Sequence, residues 1–204
     1  MAALLLDPGL VNRLKKERAL TGADRFDEVW NRVYVMAPIA NNEHQYLALQ
    51  ICLAILGVVK MPDEGLVFPG VNVTDREDDW TKNYRGPDVA AFLKGNPAED
   101  RDTHWFGGPD FAVEIVSPGD RSRKKLSFYA SVGVRELLIL DRKPWRLELY
   151  RLKDEHLRRV GVNTPDKTGP LNCAVLPLRF ALATGKKRPE LLVTTSDDGR
   201  TMRI

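Results

Sequence analysis

Pro109-Asp110-Phe111-Ala112-Val113-Glu114-Ile115-Val116-Ser117-Pro118, followed by Gly119 to Val134, is the stretch around which the rest of this chain is organised. Its apolar run is rich in Val, Ile and Phe and ends in Ser-Pro-Gly, the pattern of a buried strand closed by a turn. Strand side chains alternate, so Phe111, Val113 and Ile115 share one face and Asp110, Ala112 and Glu114 the other. Glu114 is then a carboxylate inside an otherwise hydrophobic strand. Burying it unpaired is costly, so a metal ion, a cation or a proton must hold it. From Asp120 to Val132 the sequence reads as a helix closed by Gly133, on which Arg121, Lys125 and Tyr129 recur every four residues and share a stripe.

Residues 9 to 20 predict a short amphipathic helix, and 26 to 37 a hairpin or one bent strand stopped by Pro38. Asn41 or Asn42 can cap a helix that runs to about Val59. Its apolar residues run almost all the way round, which predicts burial on every side. Leu66 to Val73 and Pro87 to Phe92 read as strands, and Gly95 to Gly108 as a polar loop. Beyond the central stretch, Arg135 to Asp141 reads as a buried strand and Trp145 to Leu152 as an alternating antiparallel one. One or two further strands are expected between Leu157 and Leu182, and 184–204 reads as a polar, loosely held tail. Helices and strands in this order predict a single α+β domain over 1–204, a mixed sheet flanked by helices.

Composition narrows the function without deciding it. The chain has 204 residues, 29% of them charged, and a formal net charge of +3, which permits a nucleic-acid partner. Cys52 and Cys173 have no zinc spacing and form no disulfide framework, which fits a cytoplasmic protein. The apolar run from Leu47 to Val59 is too short to span a bilayer, so no membrane partner is expected. His44, His104 and His156 show no ligand spacing, and packed or exposed roles are expected for them.

Two carboxylates carry the chemistry: Asp88 at the start of one strand and Glu114 inside the next. Acidic oxygens on neighbouring strands suit Mg²⁺, a hard cation that can polarise a phosphodiester and activate water. A lysine on the following helix can stabilise charge developing on phosphorus. Asp110 lies on the Glu114 face, with termination of the loop as its alternative role. Arg121, Arg123 and Lys124 are candidates for gripping DNA phosphates.

Three pieces of sequence carry a resemblance: Pro87-Asp88-Val89, the PDFAVEIVSP stretch at 109–118, and Lys125-xxx-Tyr129-xxx-Gly133-Val134. Over residues 25 to 182 the chain resembles the Uma-type endonucleases of the PD-(D/E)XK restriction-endonuclease-like superfamily. The resemblance implies a restriction-endonuclease-like core and a Mg²⁺-dependent nuclease, with Mn²⁺ as a substitute ion and DNA as substrate. It implies Asp88 and Glu114 as metal ligands, Lys125 as the active-site lysine, and Glu43 as an acidic contribution from the first core helix. Val116 stands where the usual signature has lysine, as in the Uma-type branch. Lys124 is adjacent and remains the alternative to Lys125. A homodimer making paired cuts is expected; the alternatives are an inactive nucleic-acid-binding or interaction module on the same fold, and a different metal-dependent hydrolase. Lys125→Met is expected to retain metal binding, leave stability little changed and strongly reduce cleavage.

Overall fold

The central strand, Phe111–Ile115, is buried along its whole length in the computed structural model, which describes residues 3–5, 8–37, 40–61, 63–117, 121–167 and 169–204. Pro38, read as a strand stop, and 118 to 120, read as a turn and helix start, lie outside the described residues. The strand sits inside a six-stranded sheet, between Val89–Leu93 and Glu136–Arg142. It runs antiparallel to the first and parallel to the second, with Glu114 beside Ile139. Trp145–Lys153 and His156–Asn163 extend the sheet on one side and Gly65–Phe68 on the other, all antiparallel. This is the mixed sheet of an α+β fold, as its pattern predicts.

The alternation along the strand separates two cores. Phe111, Val113 and Ile115 face a layer built from helix α2, Asn42–Leu56, and a four-stranded C-terminal sheet. Ala112 faces the opposite layer, with Phe128 and Tyr129 of helix α3, Leu126–Ser131. Each fully buried Val, Ile or Phe contributes about 1.5–3 kcal/mol through loss of apolar contact with water. Glu114, on the α3 side, gains nothing from that and must be satisfied by polar partners.

Four sequence expectations change. The helix expected from Asp120 is a 3₁₀ turn at Ser122–Lys125 that leads into α3. Gly133 follows it with φ +87°; Gly133 N–H bonds Ala130 O and Val134 N–H bonds Tyr129 O. That paired closure needs a left-handed residue, which glycine supplies without a Cβ clash. Helix α2 stops at Leu56, and it buries Leu47, Ile51 and Ile55 but exposes Tyr46, Leu49 and Leu53. The neighbouring layers cover one side of it, not every side. The loop from Gly95 to Gly108 carries two short strands, and its Trp105 stacks on Phe92 at 3.8 Å between ring centres.

The fourth change is the largest. Residues 184–204 are no loose tail, because Glu190–Thr195 and Thr201–Arg203 are strands of the C-terminal sheet. Their alternation drives Leu191 and Val193 into the core beside Phe180, which stacks on Phe111 with ring centres 5.8 Å apart. Leu191→Ala should therefore cost about 2–5 kcal/mol, the usual loss for a buried leucine. Urea unfolding checks this, and a loss well under 1 kcal/mol would return the segment to the status of a tail.

The amino-terminal part supplies a second, seven-stranded sheet of short strands. Its hairpin, Glu28–Trp30 with Val33–Met36, turns through Asn31 and Arg32, both at positive φ, as a tight two-residue hairpin requires. Helix α1, Pro8–Thr21, is fastened to it where Arg18 Nε donates to Asp27 Oδ2 at 2.6 Å.

Candidate active site

The cleft at the carboxyl end of the central strand encloses about 680 Å³ of empty space, part of it open to solvent. Glu28, His44, Asp88, Glu114, Arg121 and Lys125 are among its lining residues. They come from the hairpin, the start of α2, the entry to Val89–Leu93, the central strand and the 3₁₀ turn.

Glu114 is the best-held carboxylate. A 3₁₀ turn has three residues per turn, so Ser122 and Lys125 project the same way. Lys125 Nζ donates to Glu114 Oε1 at 2.9 Å and Oε2 at 3.0 Å, and Ser122 Oγ donates to Oε2 at 3.1 Å. Tyr129, one helical turn beyond Lys125, donates its phenol to Oε1. Burial, and then the negative charge of Glu114, push the Tyr129 phenol well above its ordinary range, so it stays a neutral donor. Tyr129 is fully buried, and its hydroxyl points to Glu114.

Lys125 reaches a second carboxylate, Glu28 Oε1, at 2.8 Å. Trp30 Nε1 fixes the other Glu28 oxygen at 2.6 Å, and the Gly86 N–H donates to Oε1 at 2.9 Å. Of the two adjacent lysines, Lys125 is buried and reaches the carboxylates, whereas Lys124 is exposed.

Asp88 is fixed from both sides. Its Oδ2 accepts the Ile115 N–H at 2.6 Å, and its Oδ1 lies 2.8 Å from His44 Nε2. A carboxylate oxygen accepts, so Nε2 carries the proton of that bond, while Nδ1 lies 3.2 Å from Ser117 Oγ. Among the described residues, no three His, Cys, Asp or Glu side chains form a ready-made cage for an ion.

Other sequence candidates stand elsewhere. Glu43 pairs with Arg142 at 3.1 Å and Arg188 at 3.4 Å, and α2 sends His44 to the cleft in its place. Successive helical residues point about 100° apart, so the two cannot both face inward. Asp110 accepts from the Leu93 N–H, Asn96 and Arg135, fastening the loop before the strand. Arg121 lines the cleft, whereas Arg123 turns to Glu148 at 2.9 Å and Asp141 at 3.3 Å. Glu28 and His44 escaped the sequence reading. His44 had a usable signal, since it shares helical spacing with the buried Leu47, Ala48, Ile51 and Ile55. Glu28 had none, because its partner Lys125 is 97 residues away in the chain.

A family model described as "Uma2: Putative restriction endonuclease" matches residues 17–184. No curated protein matches the chain. Among solved structures, the chain is similar to the crystal structure of "a putative nuclease belonging to DUF820" from Anabaena variabilis. The two are 18% identical with a TM-score of 0.56, over 72% of this chain and 81% of the other, a likeness of fold.

Proposed function

Because the chain belongs to the Uma2 family, we propose that it is a Mg²⁺-dependent endonuclease hydrolysing phosphodiester bonds in DNA. Asp88 and Glu114 are the metal ligands in this reading, and Lys125 is the active-site cation. The observation that carries it is the Lys125 ammonium held between Glu114 and Glu28 in the cleft that Asp88 also lines.

The donor set fits a hard dication. Three carboxylates, Glu28, Asp88 and Glu114, line the cleft against the cations Lys125 and Arg121, leaving a negative surplus. Mg²⁺ commonly binds one or two carboxylates and keeps several waters, so it needs no complete protein cage. When bound, Mg²⁺ or Mn²⁺ supplies Lewis-acid polarisation of the phosphodiester and a more acidic water. Lys125 stabilises negative charge growing on the phosphoryl oxygens, with Glu28 keeping its ammonium in place. Tyr129 and Ser122 orient Glu114, and His44 orients Asp88. Arg121 in the cleft and the exposed Lys124 beside it contact backbone phosphates. Two copies about a twofold axis would present two clefts for paired cuts. A reducing cytoplasm suits the two free cysteines.

Supercoiled plasmid incubated with the protein should be nicked or linearised in Mg²⁺ or Mn²⁺ and left intact in EDTA. One observation favours the inactive-module reading: Lys125 already sits on both oxygens of Glu114. Salt-sensitive DNA binding with no cleavage in any divalent ion would make that reading the better one.

A further inference from the structure

We propose that Arg123, Arg146 and Arg159, gathered on the buried carboxylate of Glu148, form a phosphate-binding subsite that holds the nucleic-acid backbone beside the cleft. The inference rests on the endonuclease reading and adds to it a place where the substrate is gripped away from the reacting bond.

Glu148 lies on Trp145–Lys153 and is fully buried. Three guanidinium groups converge on it: Arg123 Nε at 2.9 Å, Arg146 Nη2 at 2.7 Å and Arg159 Nη1 at 3.5 Å. Tyr150 donates its hydroxyl at 2.8 Å. Burial alone would raise the Glu148 carboxyl, but hydrogen bonds from Arg123 and Tyr150 and the arginine charges hold it below the ordinary glutamate range. It is an ionised anchor.

One cation would neutralise that anchor, and three are present. Asp141 takes up part of the excess through Arg123, at 3.3 Å. Three positive charges against two negative ones still leave a surplus at the surface. Unlike the anchor, the arginine side chains are 38%, 37% and 52% exposed. Each guanidinium carries five N–H donors, so donors remain after these pairings. A planar fork matches the oxygens of a phosphate, and anchored side chains lose their rotamer freedom on folding, before any ligand arrives.

The position suits a strand of nucleic acid that also enters the cleft. Register puts Glu114 beside Ile139 and Ile139 beside Glu148, so both glutamates lie in one row across the sheet. Strands are spaced 4.7–4.9 Å apart, which separates the two anchors by about 10 Å. The 3₁₀ turn spans the interval, sending Lys125 to Glu114 and Arg123 to Glu148. Lys124, between them in sequence, is exposed.

The test uses Arg146→Gln and Arg159→Gln, each of which leaves Arg123 to pair with Glu148. Binding of a fluorescein-labelled 20-base-pair duplex is measured in EDTA across salt concentrations. Hydrolysis of bis(p-nitrophenyl) phosphate, which has no flanking phosphates, is measured in Mn²⁺. Each variant should bind several-fold more weakly at low salt, with the log–log salt slope reduced by about one, and hydrolyse the small diester at the wild-type rate. Arg159→Gln, with the longest contact and the most exposed side chain, is the variant least able to disturb the fold. If the wild type binds DNA and both variants keep its affinity and slope, the subsite is wrong and the endonuclease reading stands. Small-diester rates that fall in step with binding would make the cluster a structural support. A wild type that neither binds nor cuts DNA overturns both proposals.

Discussion

Lys125→Met should cut DNA at least about 10²–10³-fold more slowly than wild type, the usual loss when a preorganised group that stabilises transition-state charge is removed. It should also be less stable by about 3–5 kcal/mol. Reading the sequence alone, lysine on a helix face suggested a swap that methionine's similar stem would tolerate. The structure replaces that expectation, because Lys125 is buried between two buried carboxylates, 2.9 Å from Glu114 and 2.8 Å from Glu28. Removing one partner of a buried ion pair strands the others, and that is the costly way to break it. Adding Glu114→Gln to Lys125→Met removes one of the stranded charges and should recover much of the lost stability, with no recovery of cleavage. Urea unfolding of the wild type, both single variants and the double variant measures the coupling. A single variant as stable as wild type would show that the three side chains are not a coupled buried unit.

Asp88→Asn should behave in the opposite way: stability nearly intact, metal response and cleavage gone. Asn keeps the size of Asp, and its carbonyl oxygen can go on accepting the Ile115 N–H, now 2.6 Å from Oδ2. Its NH₂ then faces His44, which accepts by changing tautomer and donating from Nδ1 to Ser117 Oγ. What disappears is the negative charge. At a Mg²⁺ concentration 100 times its dissociation constant, the wild type should gain about 2.7 kcal/mol, a rise in Tm of roughly 5–10 °C. Asp88→Asn should show almost none of that rise, and Glu114→Ala likewise. An Asp88→Asn protein whose Tm climbs with Mg²⁺ as steeply as wild type would move the ion elsewhere.

The buried setting of Glu114 was legible because strand alternation is a local rule, and a charge on a buried face is visible in ten residues of sequence. Asp88 showed only its place at the start of a strand. The lysine was legible only to within one position. An α-helical reading of 120–132 could not know that Ser122–Lys125 is a 3₁₀ turn, in which residues three apart align. Glu43 came from the resemblance, yet the burial pattern of α2 turns His44 inward. Glu28 was out of reach, since its place depends on a hairpin docking onto a turn far along the chain. The segment beyond residue 184 looked like a tail because its polar residues are frequent, although Leu191 and Val193 alternate as a strand requires.

The dispersal of the cleft along the chain has a consequence for biosynthesis. Glu28, His44, Asp88 and Glu114 all leave the ribosome before Lys125, the group that ties the first of them to the last. The layer under the central strand is not closed until Phe180, Leu191 and Val193 have followed. Nascent chains lengthen at about 5–20 residues per second and fold in whole units. A ribosome that stalls before residue 125 therefore carries a fragment with carboxylates but no assembled site. The cell meets the cleft only on a chain whose translation has run well past it.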